Sequence, residues 1–312
     1  MLYDLAIIGG GPAGAAGAVY AARKSLKTVF ITKDWLGQSN VSEKIENWVG
    51  TIAISGLELS KNLENHAKAY GKDVIDFKEG EYVNKVSRLK VQGSGKSAFT
   101  ISTDKGSYEA QTILITAGSR RRKLDVPGAD IYEHKGLTYC ATCDGPLYDG
   151  QDVVVVGGGN AGFESASQLL AYCKSVTLLS RSEFKADPGT VEAVSKNPKF
   201  KGIEFALPKE VKGSKFVSSC IYTNSKTNTD IELPTTGIFV EIGSVPNTDF
   251  VKDLIKLDQY NHVIVDAKNQ RAGTTGIWAA GDCTDGLYHQ NNIAAGDAVK
   301  AVEDIYLYLN AK

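Results

Sequence analysis

Two stretches of the chain share one order of hydrophobic and polar positions. In the first, the apolar run 5–8 leads into a glycine-rich turn and then into an alanine-rich helical stretch that extends to about Lys24. In the second, the apolar run 153–156 leads into a similar turn and a helical stretch to about Tyr172. A short β-like run follows each, at 28–31 and at 175–179. The pattern therefore predicts strand, turn, helix and strand, twice over.

The remaining apolar positions predict further strands and one C-terminal helix. Residues 76–116 are β-rich, with turns expected at 93–95 and at Gly106. The strand positions there include Val83, Val86, Leu89 and Val91. Another strand is expected to end at 276–282, and a helix is expected from about Ala294 to Leu309. Helical spacing predicts that its core side chains are Val299, Val302, Tyr306 and Leu309.

Both glycine-rich turns have the spacing G-x-G-x-x-G between a strand and a helix. In that setting the first glycine forms the turn, the second lets a pyrophosphate approach the backbone, and the third allows close packing of helix and strand. The phosphates then lie at the positive end of the helix. Two such units predict two doubly wound α/β domains, each around a parallel sheet. The glycines are Gly9, Gly11 and Gly14, and Gly157, Gly159 and Gly162.

The residues after the second strand of each unit bear on the coenzyme. An acidic residue there would bind the adenosine ribose. The first unit has Thr32 and Lys33 instead, and the second has Ser180 and Arg181. A hydroxyl beside a guanidinium suits a 2′-phosphate, which a carboxylate would repel. This favours NADPH over NADH, and NADH is the alternative.

The segment Cys140-Ala-Thr-Cys143-Asp144 carries the most specific chemistry. A C-x-x-C segment can be a redox disulfide, half of a zinc site, or two buried thiols. Zinc usually takes four ligands, and the sequence has no second C-x-x-C and no H-x3-5-H, so no metal is expected. We favour the redox disulfide, whose spacing permits easy reduction. Asp144 adjoins the pair and is a candidate acid and base.

Composition and charge bear on the expected partners and on the expected cellular location. The formal net charge is -1, so neither nucleic acid nor an anionic membrane is an expected partner. No run approaches the roughly 20 apolar residues that cross a bilayer. The N-terminus lacks the basic region of a signal peptide, and five cysteines with one close pair do not form a secreted disulfide framework. A cytoplasmic location is expected.

Together these motifs resemble the low-molecular-weight thioredoxin reductases and the related flavoprotein subunit of alkyl hydroperoxide reductase. The resemblance covers essentially the whole chain, and the C-A-T-C-D string at 140–144 is its most specific element. It also runs through 37–38, 45–47, 246–248 and 279–282, besides the two glycine motifs. It implies an FAD domain formed by 1–117 and 246–312, with an NAD(P)H domain of 118–245 inserted in it.

The resemblance also implies roles for individual residues. Cys143 would face the flavin, Cys140 would attack a protein disulfide, and Asp144 would serve as acid and base. The helix expected from Ala294 would direct its N-terminus at the flavin. The implied FAD contacts are Gly9, Gly11, Pro12, Ala13, Gly14, Gln38, Asn47, Gly281, Asp282 and Gln290. The implied nicotinamide contacts are Gly157, Gly159, Asn160, Gly162, Glu164, Ser180 and Arg181.

Three departures from the family pattern affect the coenzyme and the flavin site. The usual His-Arg-Arg run is Ser180-Arg181-Ser182 here, so only the middle arginine remains. The NADH-using relative has a glutamate at the position of Ser180, which this chain also lacks. The usual Arg-Gln is His289-Gln290.

The implied activity is transfer of electrons from NAD(P)H through FAD and the Cys140–Cys143 disulfide to a thioredoxin-type protein. The hydroperoxide-reductase relative has an N-terminal thioredoxin-fold module, and here the first glycine motif already starts at Gly9, so a separate acceptor is expected. A homodimer is expected from the family. Two alternatives stay open: the same fold with another donor such as ferredoxin, and a redox-sensing or electron-carrying FAD module without rapid turnover.

Overall fold

A computed structural model describes residues 1–42, 44–89 and 98–311. The predicted strand position Val91 and the predicted turn at 93–95 lie outside the described residues. The helices are α1 (Pro12–Arg23), α2 (Gly56–Gly71), α3 (Ala141–Asp144), α4 (Asn160–Leu169), α5 (Pro188–Ser195) and α6 (Asn291–Asn310). The strands are β1 (Leu2–Ile8), β2 (Thr28–Thr32), β3 (Ile75–Glu79), β4 (Val83–Arg88), β5 (Phe99–Thr103), β6 (Ser107–Ile115), β7 (Ser119–Arg121), β8 (Leu137–Thr138), β9 (Asp152–Val156), β10 (Ser175–Leu179), β11 (Phe200–Ile203), β12 (Ala206–Gly213), β13 (Val217–Asn224), β14 (Thr229–Pro234), β15 (Gly237–Val240), β16 (Ser244–Pro246) and β17 (Ile277–Ala279).

The chain forms two compact units, and it crosses between them twice. Unit 1 consists of Met1–Arg120 and Val245–Lys312, and unit 2 consists of Arg121–Ser244. The crossings lie on β7 and β16, which pair with each other as a two-stranded sheet. The predicted limits of the two coenzyme domains fall within a few residues of these crossings, and the assignment of one coenzyme to each unit stays a prediction.

Unit 1 is built on a seven-stranded sheet with the order β3-β2-β1-β6-β5-β4, and β17 also pairs with β6. The strands β1, β2, β3, β6 and β17 run parallel, whereas β4 and β5 join as antiparallel neighbours. Leu5, Ile7 and Leu114 face a core with α1 and α6, while Ala6, Ile8 and the residues of β4–β5 form a second core on the other face. Because both faces are covered, the central strands are apolar without alternation, as the sequence pattern predicted.

Helix α6 packs on α1 through small side chains, and this differs from the predicted core face. Its buried positions include Ala298, Ala301 and Val302. Tyr306, predicted to be core, is 37% exposed. Its ring lies under the Lys24 ammonium group at 4.7 Å, a cation–π contact at the surface. The prediction followed the larger side chains, but close contact between two helices is made by the alanines.

Unit 2 contains a five-stranded parallel sheet with the order β11-β10-β9-β15-β8. A separate antiparallel sheet, β12-β13-β14, packs its buried residues into the core on one face of the parallel sheet. Helix α4 covers the opposite face, where Phe163 and Leu169 are fully buried. This helix ends at Leu169 rather than near Tyr172, since residues 170–172 form a turn. The predicted fold class, α/β with two Rossmann-like units, is confirmed.

Candidate functional site

The first glycine motif closes the turn between β1 and α1 in unit 1. Gly9 has φ +119°, in the region that favours glycine. A Cβ atom on Gly9 would collide with the backbone of Thr116, and one on Gly14 would collide with the Gly9 carbonyl. The Thr116 hydroxyl lies 2.9 Å and 3.0 Å from the carbonyl oxygens of Ile8 and Gly9. Both glycines are therefore required by the packing of the turn itself.

Gly11 is different, because the space beside it is open. A Cβ atom there would meet nothing within 4 Å. Gly11 is the N-cap of α1 and makes no side-chain cap hydrogen bond, and Pro12 follows it. The first amides of α1 thus have no side-chain acceptor and face space that a side chain would fill. A helix N-terminus in this state suits a phosphate group, so these residues fit the pyrophosphate of FAD.

The end of β17 lies beside the same turn. Gly281 has φ +78°, and a Cβ atom on it would lie 3.0 Å from that of Ala294 and 3.5 Å from that of Ala13. Asp282 follows, and its Oδ2 accepts a hydrogen bond from Gln38 Nε2 at 3.2 Å. Three residues predicted for the FAD site, Ala13, Gln38 and Asp282, are thereby brought together from distant parts of the sequence.

The other two predicted flavin residues also meet in unit 1. Asn47 Nδ2 donates to Gln290 Oε1 at 3.2 Å, and Asn292 Nδ2 donates to the Asn47 carbonyl at 2.7 Å. Helix α6 begins at Asn291, three residues before the predicted Ala294, with Gln290 as its N-cap and no side-chain cap hydrogen bond. The earlier start places the free amides of α6 next to Gln290, which fits the predicted direction of this helix.

The second glycine motif repeats this geometry in unit 2. Gly157 has φ +142°, and a Cβ atom on it would collide with the carbonyl of Glu241. A Cβ atom on Gly162 would collide with the Gly157 carbonyl, whereas one on Gly159 would meet nothing within 4 Å. Gly159 is the N-cap of α4 and makes no side-chain cap hydrogen bond. Open space therefore also lies beside the start of α4, which fits the phosphates of a nicotinamide dinucleotide.

The loop after β10 folds back on this motif. Asn160 Oδ1 accepts a hydrogen bond from the Asp187 amide at 2.8 Å, and the Lys185 amide donates to the Gly158 carbonyl at 2.7 Å. Ser180 is only 3% exposed, with its hydroxyl packed against Gly158. Arg181 is exposed, and so is Glu164 on the first turns of α4. Of the two residues predicted for a 2′-phosphate, Arg181 has the freer side chain.

Sequence reasoning missed a buried carboxylate beside this motif. Glu241 directly follows β15, and its side chain is 7% exposed. Its carboxylate accepts a hydrogen bond from Ser165 Oγ at 2.8 Å and lies 3.4 Å from Arg121 Nη1. Burial raises the pKa of Glu241, against the opposing effect of Arg121. The sequence signal that could have indicated this residue is an acidic side chain directly after a fully apolar strand.

The cysteine pair also lies in unit 2. Cys140 and Cys143 form a disulfide with a Cα–Cα distance of 5.3 Å, and both residues are half-buried. Cys140 is the N-cap of α3, and the Cys143 amide donates to Cys140 Sγ at 3.2 Å. A peptide N–H directed at this sulfur would favour its thiolate after reduction.

Asp144 lies at the end of α3, and its pKa is shifted by its surroundings. Burial raises its pKa, while a hydrogen bond from the Thr138 hydroxyl and the nearby His134 lower it. The pKa of Tyr148 is raised to about 12 by burial and by Asp144. A carboxyl group with a raised pKa, next in sequence to a cysteine pair, is a candidate to exchange protons with the thiols. Thr138 was not among the predicted site residues.

The three remaining thiols are buried and protonated. Burial raises the pKa of Cys173 to about 11 and those of Cys220 and Cys283 to about 12. Since the thiolate is the nucleophile, a raised pKa disfavours reaction of these thiols at neutral pH. Cys140 and Cys143 are therefore the better candidates for thiol–disulfide exchange.

Two glycine-rich turns between strand and helix and one C-x-x-C disulfide are the combination found in flavin-dependent disulfide oxidoreductases. The family model described as pyridine nucleotide-disulphide oxidoreductase matches residues 3–298, and the chain belongs to this family. Family membership and similar solved structures imply FAD and NAD(P)H as cofactors.

Several known proteins are similar over nearly the whole chain. The solved thioredoxin reductase of Streptococcus pyogenes has a TM-score of 0.87 and 33% identity, covering 100% of this chain and 99% of its own. The thioredoxin reductase of Giardia duodenalis has a TM-score of 0.89 and 30% identity, covering 99% of each chain. An Escherichia coli subunit of alkyl hydroperoxide reductase is 36% identical over 98% of this chain, and a Bacillus subtilis protein named NADH dehydrogenase is 34% identical over 98%. The chain spans 58% of the length of each of these two relatives.

Within the described ranges, no helix is long and apolar enough to cross a membrane.

Proposed function

We propose that this protein is a thioredoxin-disulfide reductase that takes electrons from NAD(P)H and delivers them through Cys140 and Cys143. The observation that carries the proposal is the Cys140–Cys143 disulfide, with Asp144 next to it in sequence, in a chain with two glycine-rich turns between strand and helix. The similar solved structures named thioredoxin reductase support it as well. Bound FAD would supply two-electron transfer between a nicotinamide and a disulfide.

The exchange reaction can be written with the residues of unit 2. In the reduced protein the Cys140 thiolate attacks one sulfur of the acceptor disulfide, which forms a mixed disulfide and releases one acceptor thiolate. The Cys143 thiolate then attacks Cys140 Sγ, which restores the disulfide and releases the second acceptor thiolate. Two electrons pass to the acceptor, and its two thiolates take up the two protons lost by the cysteines. Asp144 accepts and returns these protons.

The coenzyme preference rests on Arg181. We propose that NADPH is preferred, because the exposed guanidinium of Arg181 lies on the loop that closes over the second glycine motif. Ser180 is too buried to be the main contact. Donors other than a nicotinamide are not favoured, since the second glycine motif fits a dinucleotide.

The acceptor and the assembly belong to the same proposal. A thioredoxin-type protein, with a potential near roughly -270 mV, suits a C-x-x-C dithiol as acceptor. A homodimer is supported by an exposed apolar segment in unit 1, where Val49, Ile52 and Leu57 are 84%, 95% and 62% exposed. A cytoplasmic location agrees with three cysteines that remain free thiols.

An anaerobic titration tests the electron donor. The purified protein is mixed with NADPH or NADH, and the visible absorbance of the flavin is followed. We expect rapid bleaching by NADPH, followed by reduction of thioredoxin disulfide when that acceptor is added. A flavin that neither coenzyme bleaches would contradict the proposal and point to another donor.

A further inference from the structure

The side chain of Thr138 connects the two chemical groups of the redox centre. Thr138 ends strand β8 and is 5% exposed. Its hydroxyl donates a hydrogen bond to Asp144 Oδ2 and accepts one from the Cys140 amide at 3.4 Å. One hydroxyl thus links the peptide N–H of the attacking cysteine to the carboxylate of the acid and base.

The hydrogen bond from the Cys140 amide determines where the Thr138 hydroxyl directs its proton. Since the Cys140 N–H can only donate, the Thr138 oxygen accepts from it and its proton is directed at Asp144. The acceptor is the Asp144 carboxyl group, and its ionised form accepts such a hydrogen bond more strongly than its protonated form. The hydroxyl therefore both fixes the position of the carboxylate and favours its charged form.

Among the groups around Asp144, Thr138 has the largest effect that lowers its pKa, against the effect of burial, which raises it. Burial raises the pKa of Asp144, and among the causes that lower it the Thr138 hydrogen bond precedes the charge of His134. Tyr148, from the segment after α3, stays protonated because its pKa is raised to about 12. Across the described ranges, the titratable groups that interact with Asp144 are His134, which lowers the pKa of Asp144, and Tyr148, whose pKa Asp144 raises.

We propose that Thr138 is a positioning residue for thiol–disulfide exchange, holding the Asp144 carboxylate in place and in its ionised form beside Cys140. This inference rests on the proposed function. Asp144 takes a proton from a thiol of the pair as the thiolate attacks the acceptor disulfide, and it returns that proton to the departing acceptor thiolate. Thr138 itself neither gains nor loses a proton.

Three variants separate this role from a structural one. Thr138→Val keeps the shape of the side chain and removes the hydroxyl, and Thr138→Ser keeps the hydroxyl. Thr177→Val is the matched control, because Thr177 is a buried threonine on β10 of the same sheet. Each protein is reduced with excess dithiothreitol, freed of it, and mixed with an aromatic disulfide in a stopped-flow instrument across a range of pH. This reaction needs neither the coenzyme nor thioredoxin.

Removal of the hydroxyl should slow exchange and move its pH profile. In Thr138→Val the pKa of Asp144 is expected to rise. The inflection that Asp144 produces in the plot of exchange rate against pH should therefore move to higher pH, whether the rate rises or falls at that inflection. We expect a rate loss of roughly ten-fold, less than the roughly 10²–10⁴-fold for complete loss of acid–base catalysis in Asp144→Asn. Thr138→Ser and Thr177→Val should keep the wild-type inflection.

A direct titration of Asp144 completes the test. A ¹³C NMR titration of aspartate side-chain carboxyl carbons, with the signal assigned by Asp144→Asn, should show a higher pKa in Thr138→Val than in Thr138→Ser. An unchanged pKa and an unchanged inflection in Thr138→Val would overturn the inference, and so would failure of Thr138→Ser to restore them. If the wild type exchanges thiols but reduces no thioredoxin with NAD(P)H, the proposed function fails while the role of Thr138 stands.

Discussion

At the scale of single residues, the glycines of each turn fall into two classes. Gly9 and Gly14 are required because added side chains would collide with neighbouring backbone, whereas Gly11 borders open space. The first class is needed for the fold, and we propose that the second is needed for the ligand. Sequence alone assigns all three to one motif, and only the local packing separates them.

This division gives a prediction for Gly11→Val and Gly14→Val. The Gly11→Val protein should fold but stay colourless, since the new side chain fills the space for the pyrophosphate without meeting other atoms. The Gly14→Val protein should be destabilised with or without FAD. Flavin absorbance and thermal unfolding of the apoproteins measure the two effects. A yellow Gly11→Val protein with full flavin content would refute the assignment.

The thiols give a second prediction at this scale. Because burial raises the pKa of Cys173, Cys220 and Cys283, none of them reacts as thiolate at pH 7–8 in the folded protein. Alkylation with iodoacetamide should therefore label no cysteine in the oxidised protein and two after reduction. Mass spectrometry counts the adducts, and denaturation of the reduced protein should expose all five cysteines to the reagent. Labelling of a third thiol in the folded protein would show that burial does not protect it.

At the scale of elements, the loop after β10 determines the expected coenzyme preference. Charge-assisted hydrogen bonds to a guanidinium contribute about 1.5–3 kcal/mol each. One contact from Arg181 should thus favour NADPH by roughly ten-fold to a hundred-fold. Arg181→Ala should largely remove this preference and leave the use of NADH intact, as kcat/KM values with both coenzymes will show. The nearby Lys201→Ala on β11 serves as a charge-matched control. Equal efficiency of the wild type with both coenzymes would contradict the assignment.

The same elements show how far sequence patterns reach. Strand, glycine turn and helix were predicted well, because buried parallel strands and the G-x-G-x-x-G turn are specified by local sequence. The core face of α6 was predicted in part. Val302 is fully buried and Leu309 packs against the core, as predicted, but Tyr306 is exposed, and the small residues Ala298 and Ala301 are buried instead. Spacing alone does not show which side chains a neighbouring helix will tolerate.

Site residues that belong to a sequence motif could be proposed from the sequence. Site residues that are defined by tertiary contacts were missed. Cys140, Cys143 and Asp144 are adjacent in sequence, so their association was visible there. Thr138 and Glu241 gain their significance from hydrogen bonds and burial that depend on β8 and β15. No spacing rule relates Glu241 to Ser165 or Arg121. Such residues are found only when the sheet places them together.

At the scale of the whole molecule, the exposed apolar segment of unit 1 predicts self-association. Ile52→Glu should weaken a homodimer, because it places a charge where 95% of an apolar side chain is exposed to solvent in the single chain. Ile131→Glu, at an exposed isoleucine of unit 2, is the matched control. Sedimentation equilibrium should give a higher dimer dissociation constant for Ile52→Glu only. A wild type that stays monomeric at micromolar concentration would rule out the dimer.

Electrons are expected to leave the molecule through Cys140 and Cys143, and replacement of Cys140 separates this route from any other. Cys140→Ser is compared with the wild type under anaerobic conditions, with NADPH as donor and thioredoxin disulfide as acceptor. We predict that the variant still binds FAD and that NADPH still bleaches the flavin, while thioredoxin reduction is abolished. Full reduction of thioredoxin by Cys140→Ser would contradict the account.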